Sequence, residues 1–290
     1  MYKMRPAEFA YHRPTSIDEA LTVLAEVEDA RPLAGGHSLL PMMKLRLAMP
    51  AALVDLSWIP GLDGISANGG GLTIGALATH AQVEASEVAI GIAPVIPETA
   101  ASIGDRQVRN CGTIGGSVAH ADPGADYPTV LKALGATITV QGQSGEREIA
   151  ADDFFRGIFE TALEPGELVT SVSVPETPAG TGAAYVKQRH PASGYTLVGA
   201  AALVTVEGDN CTAARLTIGG VTSPPVHARA ACEALVGGPG SAEAIEAAAE
   251  KVPEAIPSAT GDTYASGEYR THLAKVLGAR ALTQAFERAG

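Results

Sequence analysis

The sequence predicts an α+β chain built in two parts, and three observations carry that prediction. Up to residue 174, short β-type runs alternate with short helical patterns and are broken repeatedly by glycine. A stretch rich in Pro, Gly and Thr, "PETPAGTGA" at 175–183, then interrupts that texture. Beyond it, three longer alternating runs are followed only by helical patterns, the order expected of a small antiparallel sheet backed by helices. A chain of 290 residues is long enough for one large domain or two of ordinary size.

The first helix has its start written in. Ser16 followed by Glu19 fits a capping box, and Ile17, Ala20, Leu21 and Leu24 recur at i, i+3, i+4 and i+7. "ARPLAGG" reads as a strand that breaks into a glycine turn. "AALVDLS" and "GLTIGAL" read as two more strands, punctuated by "WIPGLDG" and "ANGG". "THAQVEAS" and "APVIPETAAS" read as short helices. A second glycine-rich loop, "NCGTIGGSVAHADPGADYP" at 110–128, leads into the helix "TVLKALG" and the hairpin "ATITVQGQSGEREIA". "ELVTSVSVP" alternates as a strand. Past the break come the strands "AAYVKQR", "YTLVGAAALVTVEGDN" and "CTAARLTIGGV", the last two turning through Gly208, Asp209 and Asn210. "VHARAACEALVG", "SAEAIEAAAEKV" and a long final segment from Ala265 read as helices. In the last, Tyr269, Leu273, Val276 and Leu277 form the expected core stripe.

Composition excludes several classes. Hydrophobic residues make up 46% and charged residues 18%, a globular balance. A net charge of −12 argues against a nucleic-acid surface, which needs clustered Lys and Arg. Cys111, Cys211 and Cys232 are far apart and form no C-x-x-C pair, so a disulfide framework, a zinc site and an iron–sulfur cluster held by this chain are not expected. The opening "MYKMRPAEFAYHRP" lacks the apolar centre of a signal peptide, and no apolar run approaches the ~20 residues that span a bilayer. The expectation is a reducing, cytoplasmic setting.

Two pairs of glycines stand out, Gly35-Gly36 beside Ser38, and Gly115-Gly116 between Thr113 and Ser117. Successive N–H groups in a tight glycine turn can converge on an anion, and hydroxyls add donors. Neither pair belongs to a G-x-G-x-x-G or Walker-type fingerprint. "HADPGAD" places His120, Asp122 and Asp126 close together, but Pro123 and Gly124 shape a turn and no fourth ligand is near, so no metal is expected. Cys111 and Trp58 read as packing residues. Tyr264 and Tyr269 read as core or interface, and Lys44 and Arg46 as solvated or partner-facing charges.

"AGGHSLLPMMKLR" and "TIGGSVAHADPGADYP" resemble the two flavin-binding signatures of the FAD-binding medium subunit of molybdenum hydroxylases of the carbon monoxide dehydrogenase type. That subunit is similar to the flavin domain of xanthine dehydrogenase. The opening F-x-Y-x-R-P-x-S-x-x-E-A-L and the late "YRTHLAKVLGARAL" also match, so the resemblance runs essentially from end to end. It implies a two-part FAD-binding domain of the vanillyl-alcohol-oxidase/PCMH type at 1–177, with subdomains of about 1–57 and 58–177, then a small C-terminal domain at 178–290. It implies that Leu33, Ala34, Gly35, Gly36, His37, Ser38 and Leu39 wrap the FAD diphosphate, largely through backbone donors. Thr113, Gly115, Gly116, Ser117, Ala119 and His120 would line the cofactor from the other side. Asp126 would hold ribose or ribityl hydroxyls, and Ile103 and Gly104 would pack beside the cofactor. Val169 and Lys187 would lie near the isoalloxazine, and Tyr195 against its ring.

The resemblance further implies that the substrate is oxidised elsewhere. A large partner subunit would hold molybdenum and a pterin, and a small one two [2Fe–2S] clusters, in a dimer of heterotrimers. This chain would carry FAD and pass electrons from the clusters to a quinone, NAD or oxygen. Part of the 40–50 stretch would face the cluster subunit. A self-contained FAD oxidoreductase of the same superfamily is the alternative, but it would need a larger substrate-binding cap than residues 178–290 offer. A scaffold subunit that has lost its cofactor would not need both glycine loops intact.

Overall fold

The computed structural model describes residues 4–290; Met1 to Lys3, at the start of the stretch inspected for a leader, lie outside the described residues. The first unit is a parallel three-stranded sheet. β1 (Ala10–His12) and β2 (Ala30–Leu33) both pair in parallel with β3 (Ala52–Asp55), giving the order β1-β3-β2. α1 (Ile17–Glu26) connects β1 to β2, and α2 (Leu39–Lys44) lies between β2 and β3. The central strand reads "ALVD" and is buried throughout, as a strand covered on both faces should be. Ala20 and Leu21 of α1 pack with Val54 on one side of it. Ser16 caps α1 by accepting from the Glu19 N–H at 3.2 Å. The Glu19 carboxylate reaches back one residue further than the usual box, to the Thr15 N–H at 2.7 Å.

The second unit is an antiparallel five-stranded sheet. Its strands are β4 (Ile65–Asn68), β5 (Gly71–Gly75), β6 (Thr137–Gly142), β7 (Gly145–Ala150) and β10 (Leu168–Val174), ordered β4-β5-β10-β6-β7. Between β5 and β6 run six helices: α3 (His80–Ala85), α4 (Glu87–Ile92), α5 (Val95–Ser102), α6 (Arg106–Arg109), α7 (Ile114–His120) and α8 (Tyr127–Leu134). Every residue of α8 is buried, Lys132 included, and the helix packs on both this sheet's core and the next unit. Short α9 (Ala151–Phe154) precedes the two-stranded hairpin β8 (Phe155–Gly157) and β9 (Glu160–Thr161). β10 pairs with β6 through a register shift between Val169 and Ser171, a bulge whose Thr170 carbonyl accepts from the Ala76 N–H at 2.9 Å.

The third unit is a four-stranded antiparallel sheet, β11 (Thr181–Arg189), β12 (Thr196–Glu207), β13 (Asn210–Gly219) and β14 (Val226–His227), in sequential order. α10 (Arg229–Glu233), α11 (Ala242–Ala249) and α12 (Gly267–Ala289) back it. α12 buries Arg270, Ala274, Leu277, Ala281, Leu282 and Ala285. The expected stripe is therefore rotated: Leu277 belongs to it, Leu273 is only partly buried, and Tyr269 is exposed. Small alanines let the helix lie close on the sheet. Arg270 goes inward because its guanidinium donates to the Leu197 and Gly220 carbonyls at 3.1 and 2.7 Å and pairs with Asp262.

Three other expectations are corrected. The second glycine loop contains a helix, since Ile114–His120 form α7. Trp58 is half exposed, with the Arg13 guanidinium 3.6 Å above its ring. Cys111 is likewise exposed rather than packed. No helix among the described residues is long and apolar enough to cross a membrane, and no His/Cys/Asp/Glu cluster among them could hold a metal ion.

Candidate functional site

A cavity of about 950 Å³ opens between the β2–α2 loop, α7 and the ends of β5 and β10 in the five-stranded sheet. Its size sits at the upper end of the roughly 300–1,000 Å³ typical of cofactor pockets. Leu33 to Leu39, Ile103, Gly104, Thr113, Gly115, Gly116, Ser117, Ala119, His120, Asp126, Val169 and Tyr195 all line it. Of the residues singled out from sequence, only Lys187 does not.

The two glycine segments touch. A Cβ on Gly35 would fall 2.0 Å from the Cys111 carbonyl oxygen and 2.7 Å from Gly112 Cα, so no side chain is possible there. Gly36 turns the chain with φ at +70°, conformation that disfavours any side chain. Among the described residues, no carbonyl or side chain accepts from the N–H groups of Gly35, Gly36, His37 or Ser38. The loop therefore presents unpaired backbone donors beside the cavity. The His37 Nδ1 sits 2.9 Å from the Gly35 carbonyl and closes the turn on itself.

The second segment works differently. Thr113 caps α7 by accepting from the Gly116 N–H at 3.1 Å. The Ile114, Gly115 and Ser117 N–H groups go to the carbonyls of Ala78, Ala76 and Thr113. These amides are spent, so the expectation of a second set of free anion donors fails. What Gly115 supplies is proximity: a Cβ there would meet Ala76 Cβ at 2.4 Å. The helix is thereby pressed against the end of β5.

Asp126 sits at the base of α8 with its side chain 5% exposed. Its Oδ1 accepts from Tyr185 Oη at 2.7 Å and Thr196 Oγ1 at 2.9 Å, and lies 2.7 Å from Lys187 Nζ. All three donors belong to β11 and β12. Lys187 is thus committed to Asp126 and kept off the cavity wall, because an ammonium this deeply buried needs a carboxylate beside it. Burial still pulls the Lys187 pKa down, with Asp126 opposing. The Asp126 Oδ2 has no hydrogen-bond partner among the described residues and remains free to accept.

Tyr195 comes in from the third unit on a loop closed by the His190 N–H to Tyr195 carbonyl bond at 2.8 Å. Its ring packs beside Gly124, where a Cβ would be 3.2 Å away. Burial and the Asp122 charge raise its phenol pKa, with nearby Ser38 opposing them. At the opposite rim Phe159, with φ at +56°, stacks on His120 at 4.9 Å between ring centroids. Burial lowers the His120 pKa.

Sequence reasoning missed three contributors. His80, the first residue of α3, lines the cavity at 4% exposure. Arg109 pairs with Glu84 at 2.7 Å and donates to the Ile103 carbonyl at 3.1 Å, holding the wall that Ile103 and Gly104 form. Phe159 supplies an apolar rim. The capping Thr79 is visible in the sequence, but nothing local signals that the next residue faces a cavity made by distant loops.

Residues 7–177 match the model of the FAD binding domain in molybdopterin dehydrogenase, and residues 183–285 that of the CO dehydrogenase flavoprotein C-terminal domain. The chain belongs to this family of flavoprotein subunits. It is 42% identical over 287 residues to the carbon monoxide dehydrogenase medium chain of Afipia carboxidovorans, covering 99% of each chain. It is 37% identical to the 6-hydroxypseudooxynicotine dehydrogenase complex subunit alpha of Paenarthrobacter nicotinovorans, covering 99% of this chain and 97% of that one. Its fold superposes on quinoline 2-oxidoreductase from Pseudomonas putida 86 with a TM-score of 0.94 at 35% identity, covering 98% and 99% of the two chains.

As a member of the family the chain is the FAD-carrying medium subunit of an oxidoreductase. The cavity fits that cofactor chemically. Unpaired amides at Gly35 to Ser38 suit an anion, the spare oxygen of Asp126 suits hydroxyls, and Leu33, Val169 and Tyr195 offer apolar and aromatic surface to a flat ring system.

Proposed function

We propose that this chain is the electron-exit subunit of a cytoplasmic, heterotrimeric molybdenum hydroxylase, doubled into a dimer of heterotrimers. It would take electrons from [2Fe–2S] clusters on a small partner and pass them to an external acceptor such as a quinone, NAD or oxygen. Substrate oxidation would occur at the molybdenum-pterin of a large partner. The observation that carries this reading is the contact of Gly35 with Cys111 and Gly112, which sets unpaired amides beside the second signature on one cavity.

FAD, when bound, supplies the redox chemistry, accepting electrons singly and releasing them in pairs. The chain's residues do the rest. The Gly35–Ser38 amides hold the diphosphate. Thr113, Gly115, Gly116 and Ser117 form the facing wall by close approach, with Ser117 adding a hydroxyl. Asp126 accepts cofactor hydroxyls at Oδ2 while its Oδ1 is fixed by Tyr185, Lys187 and Thr196. Lys187 acts through Asp126 and does not reach the ring itself. Tyr195 and Val169 cover the ring faces, and Ile103, Gly104, Ala119 and His120 complete the enclosure. The FAD-binding domain is 1–177, with subdomains of about 1–57 and 58–177, and the C-terminal domain 178–290.

The docking surface for the cluster subunit is the run after α2. Leu45, Leu47 and Met49 are 56%, 73% and 59% exposed, flanked by exposed Lys44 and Arg46, and Leu47 and Met49 also line the cavity mouth. The test is co-expression with the neighbouring-gene products. A purified complex containing molybdenum, iron and flavin, with the flavin bleached by the large subunit's substrate, is expected. A chain that oxidises small alcohols in air without partners would overturn the reading.

A further inference from the structure

We propose that His80 is a further cofactor-binding residue, whose imidazole Nε2 donates a hydrogen bond to the FAD diphosphate from beneath the junction of the two glycine segments. The inference rests on the reading that this cavity holds FAD.

Three observations carry it. First, His80 is a buried polar side chain of the cavity with donor capacity to spare. Thr113 is committed to the Gly116 N–H, and the Oδ1 of Asp126 to three donors. Neither ring nitrogen of His80 has a hydrogen-bond partner among the described residues, although the residue is 4% exposed and Nδ1 is sealed off entirely. Nε2 is the ring nitrogen not sealed in this way, so its hydrogen-bonding capacity is open to a ligand in the cavity.

Second, its position is fixed. The His80 N–H donates to the Gly112 carbonyl at 2.9 Å, and a Cβ on Gly112 would lie 2.8 Å from Nε2. Gly112 is the residue that Gly35 abuts on its other side. The absence of side chains at Gly35 and Gly112 brings the imidazole up to the point where the loop with unpaired amides begins.

Third, an anion placed there has few cations to meet on a wall that also carries Asp29, Asp122, Asp126 and Glu167. The cationic side chain on the cavity wall, Arg31, is largely exposed and lies 3.4 Å from Asp29. The groups facing His80 are His37 from the first loop, Arg109 on α6 with its partner Glu84, and Tyr127 on α8, whose ring centroid is 5.5 Å away. Burial, His37 and Arg109 hold His80 neutral, with its pKa lowered to about 4. With Nδ1 sealed as the bare nitrogen, Nε2 carries the proton and is the donor.

The test compares H80F, which keeps an aromatic ring but no N–H, with H80Q, whose amide reaches the Nε2 position. FAD and ADP, the latter carrying the diphosphate without the flavin, are titrated into the cofactor-free full chain. The expected result is about a tenfold or greater loss of affinity for both ligands in H80F, with H80Q close to wild type, as a charge-assisted hydrogen bond predicts. Equal affinity of H80F and wild type, or equal losses in H80F and H80Q, would overturn the proposal. Should H80F not fold, imidazole ¹⁵N spectra of the wild type decide it: the Nε2 resonance must shift on adding ADP, and an unmoved resonance is fatal. A wild type that binds neither ligand would instead sink the assignment of the cavity.

Discussion

The Lys187 ammonium lies 2.7 Å from Asp126 Oδ1, with the two side chains 4% and 5% exposed. Removing one partner of such a pair leaves the other charge buried alone. Lys187→Met should destabilise the chain by about 3–5 kcal/mol, and the loss should shrink when Asp126→Asn is added. Urea denaturation of the two single variants and the double variant measures the coupling. Additive losses would mean that the pair does not act as a unit.

Gly35→Ala tests the contact between the glycine segments. The new methyl would need the space of the Cys111 carbonyl, and backbone must move to make room. A cost of about 1–3 kcal/mol, expressed as loosened loop geometry, predicts roughly tenfold weaker FAD binding. Fluorescence quenching during FAD titration reads it. Gly64→Ala, where nothing lies within 4 Å, is the control and should bind normally.

His80 also makes a pH signature in the cofactor-free chain. Its pKa in the fold is about 4, below the ordinary 6.5, because burial disfavours the cation. Between those values the unfolded chain binds more protons than the folded one. Stability should therefore fall as pH drops from 6.5 to 4, by up to about 3 kcal/mol, and His80 should contribute no slope above 6.5. Chemical denaturation of wild type and H80Q across this range gives the difference, which should be flat if burial does not perturb the imidazole.

Arg109 is predicted to act through Ile103. Its guanidinium spans Glu84 and the Ile103 carbonyl, so Arg109→Lys loses the fork while keeping the charge. FAD affinity should fall several-fold with little change in overall stability, on the order of 1 kcal/mol. A variant that melts early yet binds FAD normally would place Arg109 in the scaffold alone.

Much of this architecture was legible because local chemistry and tertiary environment agree. Ser16 announces α1, Gly142 to Gly145 mark the β6–β7 hairpin, and the alternation of "ELVTSVSVP" survives as β10. The exceptions share a cause. Glycine's poor helix propensity hid α7, which stands because Thr113 caps it and Ile114, Gly115 and Val118 are buried. The α12 stripe was misplaced because alanine and an arginine paired through its two terminal nitrogens, rather than large apolar residues, face the sheet. At the site, motif-borne residues were found by resemblance. His80, Arg109 and Phe159 were not, since His80 and Phe159 reach the cavity, and Arg109 braces its wall, only through tertiary contacts.

Of the three thiols, Cys211 and Cys232 are buried and Cys111 is exposed, with its own carbonyl pressed on Gly35. A maleimide dye would therefore mark a single spot, at the seam between the two glycine segments. Native protein comes ready for a fluorescence reporter of cofactor loading, with no engineered label site and no background from the other two sulfurs.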